Sequence, residues 1–508
     1  AGVVAGPAPA DRGTADDGNA IAGLKLAEED AGLGGRLILT FRRGGVLPPN
    51  RLQPGAPVVL TQAGVRRPFS ARGVVSDRDE RTISVAFENA DLELPEDSTW
   101  RLDLSPDETA RMRQAAALTR VATATGDRLA AIRDAFAIRD QSPVAEPVAS
   151  PDSPLNPSQL TAVEFALEST EIAAIHGPPG TGKTTAVVEL IRRAVARGQT
   201  VLATAPSNAA VDHLLDKLLA MGEEPVRLGH PARVSPALRD RSLDLLVQAH
   251  PDARQARKLA KEARAKFRQA DKWTKAKPLP GEKQSLRAEG RDLLAAAREM
   301  ERSAVDRVLD EARVICGTLT GVDSETLGRR RFGLVVVDEA CQATEPATWL
   351  PILRGDRVVF AGDPCQLPPT ILSPAAADAG LAVSLMERAM RDAGPGISRM
   401  LSIQYRMHDA IMGFSNAEFY GGELLGDPSV AGHRLCDLPG VEITPLTESP
   451  FTFVDTAGAG FDEEEEPDTE SRRNPREAAR AARAVRDLIA AGVSEMAIAV
   501  IAPYAGQV

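Results

Sequence analysis

The spacing of apolar positions changes several times along the chain. Between residues 34 and 104, short apolar runs such as Arg36–Phe41 and Thr82–Phe87 are separated by turn-forming clusters such as Leu47–Asn50. About five short strands at this spacing predict a small antiparallel β-barrel over residues 33–105. The preceding residues 1–32 are expected to form a tail and a short helix over 21–30.

Helical spacing follows the barrel, and we expect residues 106–139 to form a helical stalk that supports it. Residues 140–154 contain several prolines and are predicted to be a linker. Barrels of this size either bind nucleic acid or serve as structural spacers, and the sequence leaves both alternatives open.

Buried runs then alternate with amphipathic helices, which predicts an α/β fold with a parallel sheet. We expect a first α/β domain over 155–395, a helical hairpin inserted at 245–312, and a second domain over 396–508. The segment Arg254–Lys277 contains ten Lys and Arg against Glu262 and Asp271, a net charge of +8 (10 − 2). Such a charged helix pair is either a solvated surface or an arm that faces nucleic acid.

A phosphate-binding loop follows the apolar run Ile172–Ile175. Residues 177–184, GPPGTGKT, fit the pattern G-x-x-x-x-G-K-[ST], and the amphipathic sequence after them predicts a helix. The loop glycines let backbone N–H groups converge on phosphate oxygens. Lys183 is expected to reach the β- and γ-phosphates, and the Thr184 hydroxyl to ligate Mg²⁺. The predicted nucleotide-binding residues of this loop are Gly177, Pro178, Pro179, Gly180, Thr181, Gly182, Lys183, Thr184 and Thr185.

Two carboxylates end the next strongly apolar strand, Phe332–Val337. Asp338 is placed to hold Mg²⁺, and Glu339 to polarise the water that attacks the γ-phosphate. Their distance in sequence from Lys183 (338 − 183 = 155 residues) is long for a minimal nucleotide-binding sheet, and the inserted hairpin accounts for it.

Three further side chains are candidates for the same chemistry. Gln366 follows the strand Arg357–Gly362, and its neutral amide could contact the γ-phosphate or the attacking water. Arg406 could act as an arginine finger, because its guanidinium keeps its charge. Alternatively, Arg406 forms a surface ion pair. Tyr405 could stack on adenine.

Composition sets the broad class of protein. The 508 residues are 43% hydrophobic and 26% charged, and the net charge of −11 argues mildly against indiscriminate nucleic-acid binding. No apolar run reaches the roughly 20 residues that cross a bilayer, so we expect no membrane partner. The four cysteines are widely spaced and fit a reducing cytosol, so we expect a cytoplasmic protein, and we expect a monomer.

Five motifs together carry a family resemblance: GPPGTGKT, APSNAAVD, DEACQ, GDPCQLPPT and QYRMH occur in this order. The set resembles superfamily 1 helicases of the 5′→3′ branch, close to the nonsense-mediated-decay helicase and especially the immunoglobulin-mu-binding-protein helicases. The resemblance covers residues 34–508. It implies tandem RecA-like domains, with the barrel and the hairpin carried by the first and forming the roof of a nucleic-acid channel.

The resemblance also implies roles for individual residues. Gln159 would recognise the adenine edge, and Arg406 would be one of two arginine fingers. The residues implied to grip the nucleic-acid backbone are Pro206, Ser207, Asn208, Thr318, Pro503 and Tyr504. The implied partners are ATP, Mg²⁺ and single-stranded DNA or RNA.

One departure from the family pattern affects the expected activity. The V-D-x-F-Q-G-x-E segment and the T-R-A segment with the second arginine finger do not occur in these 508 residues. We therefore expect a fragment that binds nucleotide, hydrolyses it poorly and translocates weakly or not at all. The leading hypothesis for the protein is an ATP-dependent 5′→3′ helicase or translocase. The alternatives are an ATPase that remodels nucleic-acid complexes without unwinding, or an inactive binding module.

Overall fold

The computed structural model describes residues 19–31, 37–48, 50–63, 65, 69–87, 92, 94, 98–105, 108–136, 155–271, 282–322, 325–465 and 471–508. The predicted tail at 1–18 and linker at 140–154 lie outside these residues. The described chain divides into two compact units. The first contains residues 19–136, 163–175 and 184–398, and the second contains residues 155–162, 176–183 and 399–508.

The first unit begins with a closed six-stranded barrel, and adjacent strands follow the order β1-β2-β5-β4-β3-β6. Alternate side chains of its strands point inward and are buried, including Leu39, Phe41 and Trp100. The strands are β1 (Ala20–Ala31), β2 (Leu37–Arg42), β3 (Pro57–Gln62), β4 (Ser70–Arg78), β5 (Thr82–Phe87) and β6 (Trp100–Leu104). The predicted antiparallel barrel is therefore present, with one more strand than expected.

The additional strand replaces the short helix that we expected over residues 21–30, and that prediction is wrong. Strand β1 is rich in Ala, Leu, Lys and Glu, which favour helices in isolation. It nevertheless pairs with both β2 and β6 and closes the barrel, and Ile21 and Leu24 are fully buried there. Gly23, at φ +73°, lies where the register with β6 shifts. Tertiary pairing thus overrides the local helical preference, and the barrel begins at Ala20 instead of residue 33.

Two helices follow the barrel, α1 (Glu108–Thr123) and α2 (Arg128–Ala135). They are separated near Gly126, whose φ is +67°. Both helices pack on the core of the first unit. Phe136 is buried with its ring 5.5 Å from that of Trp349, edge to face, and Arg128 donates to Glu171 at 2.8 Å. The helical segment predicted as a stalk is thus anchored along its length to the core of the first unit.

A seven-stranded sheet forms the centre of the ATPase core, in the order β13-β7-β12-β11-β8-β10-β9. The pairs from β12 through β9 are parallel, as predicted, and their side chains are almost completely buried. The strands are β7 (Ile172–His176), β8 (Val201–Ala205), β9 (Val226–Arg227), β10 (Val314–Thr318), β11 (Leu334–Val337), β12 (Val358–Gly362) and β13 (Ser398–Met400).

Helices connect these strands and continue into the second unit. They are α3 (Pro157–Glu168), α4 (Lys183–Ala196), α5 (Asn208–Ala220), α6 (Leu243–Ala249), α7 (Pro251–Asp271), α8 (Glu282–Glu311), α9 (Glu345–Ile352), α10 (Pro374–Ala376), α11 (Leu385–Ala393), α12 (Asp409–Phe419), α13 (Pro445–Glu448) and α14 (Pro475–Ala490). The remaining strands form two short pairs in the second unit, β14 (Ile403–Gln404) with β15 (Leu425–Gly426), and β16 (Glu464–Glu465) with β17 (Arg472–Arg473).

Helices α7 and α8 form an antiparallel hairpin at the predicted insertion. Asp252 meets Arg307 at 3.1 Å, and Lys266 meets Glu289 at 2.7 Å. Beside the second pair, a Cβ on Gly290 would lie 2.9 Å from the ring of Phe267, so the glycine permits close packing of the two helices.

Cations on α7 gather on its exposed side, and we call this set the cationic stripe. At 100° per residue its members fall within a sector of about 120°, over about 21 Å of the helix axis. They are Arg254, Arg257, Lys258, Lys261, Arg264 and Arg268. Like charges three or four residues apart repel one another, so the stripe costs the isolated helix stability.

The anchoring of α2 gives a first prediction. Phe136→Ala should lower the free energy of unfolding of the ATPase core by about 3–5 kcal/mol, because it leaves a cavity against Trp349. Urea denaturation monitored by tryptophan fluorescence measures this loss. Met112→Ala on α1 is the control, because Met112 is exposed. A loss below about 1 kcal/mol for Phe136→Ala would show that α2 does not belong to the core.

Candidate nucleotide and nucleic-acid sites

The phosphate-binding loop lies between β7 and α4, as predicted. Gly180 and Gly182 have φ values of +79° and +73°, a conformation that disfavours side chains. A Cβ on Gly177 would lie 2.7 Å from the Cβ of Lys183, so the lysine side chain runs across this glycine. The Thr181 hydroxyl donates to the carbonyl of Pro178 at 2.7 Å and braces the loop from within. Thr184 and Thr185 form the first turn of α4.

The QYRMH segment packs directly against this loop within the second unit. The backbone N–H of Tyr405 donates to the carbonyl of Gly180 at 2.8 Å. A Cβ on Gly180 would lie 2.6 Å from the Cβ of Arg406. The amide oxygen of Gln404 accepts from the backbone N–H groups of Arg406 and Met407 at 2.8 and 2.7 Å, which fixes the turn that presents the arginine. The Cβ of Arg406 therefore lies beside the phosphate-binding loop.

Gln159 and Tyr405 lie on the same side of this loop. Gln159 is buried, and its amide nitrogen donates to the carbonyl of Thr181 at 2.9 Å. Its amide oxygen accepts from the backbone N–H of Asn156 at 3.1 Å, so the side chain also has a structural role. The Tyr405 hydroxyl accepts from the side-chain amide of Asn156 at 3.0 Å, and its ring is 43% exposed. The two residues predicted to contact adenine thus share Asn156 as a neighbour.

The carboxylate pair lies in the first unit, at the end of β11. Asp338 is 3% exposed, and its backbone N–H donates to the carbonyl of Thr204 on β8 at 2.8 Å. Glu339 has φ +52°, and no other non-glycine residue in the described part of the chain has a positive φ. Its carboxylate accepts from the Gln342 amide at 2.9 Å. Strained backbone of this kind is concentrated at functional sites.

Sequence reasoning missed Asp363, which supports Gln366. Asp363 is 2% exposed at the end of β12, and its carboxylate accepts from the Gln366 amide nitrogen at 2.7 Å. Its other oxygen accepts from the backbone N–H of Cys365 at 3.0 Å. Burial and the nearby carboxylates of Asp363 and Glu387 raise the pKa of the Cys365 thiol. The signal available in the sequence was the carboxylate at the strand end, the same signal that identified Asp338.

The residues implied to grip nucleic acid lie in both units. In the first unit, Ala205 and Thr318 are register partners at the ends of β8 and β10. Pro206, Ser207 and Asn208 therefore emerge beside Thr318. The Ser207 hydroxyl caps α5 by accepting from the Ala210 N–H at 3.2 Å. In the second unit, Pro503 and Tyr504 precede the short helical turn Ala505–Gln507.

The residues present fit a nucleoside triphosphate with a divalent cation. Gly177 and Gly180 leave room for the side chains of Lys183 and Arg406 beside the loop, and a loop of this kind before a helix N-terminus directs backbone N–H groups at phosphate. In the second unit, Lys183 offers a point charge for phosphate. Within the first unit, Thr184 and Asp338 offer hard oxygen ligands of the kind that Mg²⁺ prefers. Buried Asp338 would gain charge compensation from such a cation.

Comparisons with known proteins match three family models to the chain. Two are described as AAA domains and match residues 154–374 and 381–508. The third, described as "Helicase SMUBP-2/HCS1, 1B domain", matches residues 14–104. Among curated relatives, "DNA-binding protein SMUBP-2" of Mesocricetus auratus is 39% identical over 500 residues, which cover 96% of this chain and 50% of that protein.

Two further relatives extend the comparison. "DNA polymerase alpha-associated DNA helicase A" of Schizosaccharomyces pombe is 32% identical over 519 residues, covering 97% of this chain and 77% of that protein. The chain belongs to the SMUBP-2/HCS1 family of superfamily 1 helicases. "Regulator of nonsense transcripts 1 homolog" of Arabidopsis thaliana is 35% identical over 358 residues, covering 70% of this chain and 26% of that protein. The resemblance seen in the motifs is confirmed.

Membership of this family also confirms the predicted fold class of tandem RecA-like domains with a barrel and a helical hairpin inserted. The chain spans about half the length of the SMUBP-2 relatives. No helix in the described ranges is both long enough and apolar enough to cross a membrane.

The close approach at Gly180 gives a second prediction. Gly180→Ala should weaken nucleotide binding at least tenfold, because its new Cβ meets Arg406 and its backbone is left-handed. Isothermal titration with a non-hydrolysable ATP analogue measures this affinity. Gly198→Ala is a matched control, because Gly198 has φ +80° and open space around its Cβ position.

Both variants should lose about 1–2 kcal/mol of stability from the left-handed backbone. Only Gly180→Ala should change nucleotide affinity. Equal affinities for the two variants would show that contact with the Arg406 segment does not shape the loop.

Proposed function

We propose that the chain provides the ATP-hydrolysing and strand-gripping machinery of a translocase that moves 5′→3′ along single-stranded DNA or RNA and unwinds duplexes. The observation that carries the proposal is the contact between the phosphate-binding loop and the QYRMH segment, made through Gly180, Tyr405 and Arg406. The QYRMH segment follows β13, the last strand of the sheet in sequence. It places Arg406, whose guanidinium keeps its positive charge, beside the phosphate-binding loop.

The side chains divide the chemistry among themselves. Lys183 and the loop N–H groups would hold the triphosphate, and Thr184 and Asp338 would hold a divalent cation. The bound cation would neutralise charge on the phosphates and their leaving group. Glu339 accepts the proton of the attacking water, and Gln366, oriented by Asp363, senses the γ-phosphate. Arg406 stabilises the charge that develops on the transferred group.

The strand is held by backbone contacts. The S. pombe and M. auratus relatives are named for DNA helicase and DNA-binding functions. In this chain, Pro206, Ser207, Asn208 and Thr318 on the first domain, and Pro503 and Tyr504 on the second, are proposed to contact phosphate and sugar, with little sequence preference. The cationic stripe of α7 supports the interpretation of the hairpin as an arm that faces nucleic acid.

Hydrolysis provides the test. Glu339→Gln should lower the ATP turnover rate by about 10²–10⁴-fold while nucleotide affinity is retained, because the substitution removes the base and keeps the shape. Lys183→Ala should abolish turnover by removing the phosphate contact and leave nucleic-acid binding intact. A coupled ATPase assay with and without poly-dT or poly-U measures both. The proposal requires that either single strand raises the wild-type rate above its basal value, although the missing second arginine finger is expected to keep both rates low.

Strand displacement on duplexes with a 5′ or a 3′ tail then tests direction. Unwinding of the 5′-tailed substrate alone supports the proposal. ATPase stimulation without displacement of either duplex, also in a version extended through the T-R-A segment, would favour the remodelling alternative. No stimulation by any single strand would contradict translocation.

A further inference from the structure

A buried arginine contacts the end of the segment 206–208 after β8, which we call the grip loop. Arg227, on β9, is 1% exposed, and its Nε donates to the Oδ1 of Asp212 at 3.0 Å. One terminal nitrogen of its guanidinium donates to the side-chain oxygen of Asn208 at 2.8 Å. The other donates to the carbonyl of Leu228. The guanidinium is therefore shared among an acidic partner, its own strand and the grip loop.

This contact fixes the orientation of the Asn208 amide. A guanidinium has N–H donors and no acceptor, so the amide must direct its oxygen toward Arg227. The amide nitrogen then lies on the opposite side of the planar group. In the described part of the chain this nitrogen has no hydrogen-bond acceptor, and Asn208 is only half-buried. Asn208 is thus held with two N–H donors available.

Helix geometry strengthens the arrangement. Asn208 and Asp212 are four residues apart on α5, so they lie on the same face of the helix and contact the same arginine. Asn208 is also the first residue of this 13-residue helix, whose N-terminus favours anions. The second oxygen of Asp212 accepts from the backbone N–H of Ser235 at 2.8 Å, which ties down the segment after β9.

The same segment reaches the barrel. The Nε of Arg233 donates to the carbonyl of Gly55 at 2.6 Å, within the first unit. A Cβ on Gly55 would lie 2.8 Å from the Cγ of Arg233, so the barrel loop and the segment after β9 are in close contact there. Residues 227–235 therefore connect the back of the grip loop with a barrel loop.

We propose that Arg227 is a positioning residue for nucleic-acid binding: it holds the Asn208 amide so that its nitrogen donates to a phosphate of the bound strand. The inference rests on the proposed function, because it requires the loop after β8 to contact the strand. The ligand chemistry is a phosphodiester, which accepts hydrogen bonds and carries no donor.

A double-mutant cycle on strand affinity tests the inference. The probe is a fluorescein-labelled poly-dT of about 16 nucleotides, followed by anisotropy, and a poly-U of equal length repeats the measurement. Asn208→Ala should weaken binding about tenfold, since it removes a donor to a charged acceptor. Asn208→Asp keeps an oxygen toward Arg227 and replaces the donor by an anion, so it should weaken binding more.

The second arm removes the positioning group and preserves the fold. Arg227→Met combined with Asp212→Asn leaves no unpaired charge in the interior. This pair should weaken binding almost as much as Asn208→Ala, because the amide is free to rotate. Adding Asn208→Ala to the pair should then cost less than about twofold, and this non-additivity is a result that a purely structural arginine would not produce.

A matched ion pair controls for general destabilisation. Arg128→Met with Glu171→Gln removes a half-buried pair near the opposite edge of the sheet from β9, where Glu171 precedes β7. This control should leave strand affinity within about twofold of wild type, even if the urea midpoint falls as far as it does in the Arg227 pair.

The outcomes separate this inference from the proposed function. Additive losses in the cycle, or full affinity in Asn208→Ala while the wild type binds the strand, would overturn the role of Arg227 and leave translocation untouched. If no single strand raises the ATPase rate of the wild-type protein, the proposed function itself fails.

Discussion

The nucleotide site depends on one close backbone contact, in which Gly180 leaves room for the Arg406 segment. Two features require glycine at position 180. Its φ angle is left-handed, and a Cβ there would collide with the Cβ of Arg406. Tyr405 N–H closes the contact with a hydrogen bond to the Gly180 carbonyl. The proposed phosphate-binding loop and the turn that presents the arginine therefore have one shared geometry.

In the first unit, the carboxyl ends of the parallel strands carry the other candidate side chains. Asp338, Asp363 and the loop after β8 all leave the sheet at this edge, because parallel strands end together. Glu339 occupies the strained left-handed region that other non-glycine residues of the described chain avoid. A strain of about 1–3 kcal/mol persists only where the surrounding structure enforces it, and the buried Asp338 and the bond to Gln342 provide that support.

The sequence predicted those features that depend on local pattern. The phosphate loop, the Asp338–Glu339 pair and the parallel core could be identified because each combines an apolar strand with a defined polar end. Strand β1 could not be predicted, since its Ala, Lys and Glu content favours a helix and only pairing with β2 and β6 decides otherwise. The Asn208 orientation was equally hidden, because it depends on Arg227, 19 residues away. Contacts between distant segments leave no periodic signal.

The account is tested most directly by single-turnover ATP hydrolysis of Arg406→Lys with saturating single strand. Lysine keeps the charge but lacks the planar donor fork. We predict retained ATP affinity and a hydrolysis rate lowered by about 10³-fold or more, the usual contribution of an arginine finger. A wild-type rate in Arg406→Lys would contradict the claim that this side chain completes the catalytic site.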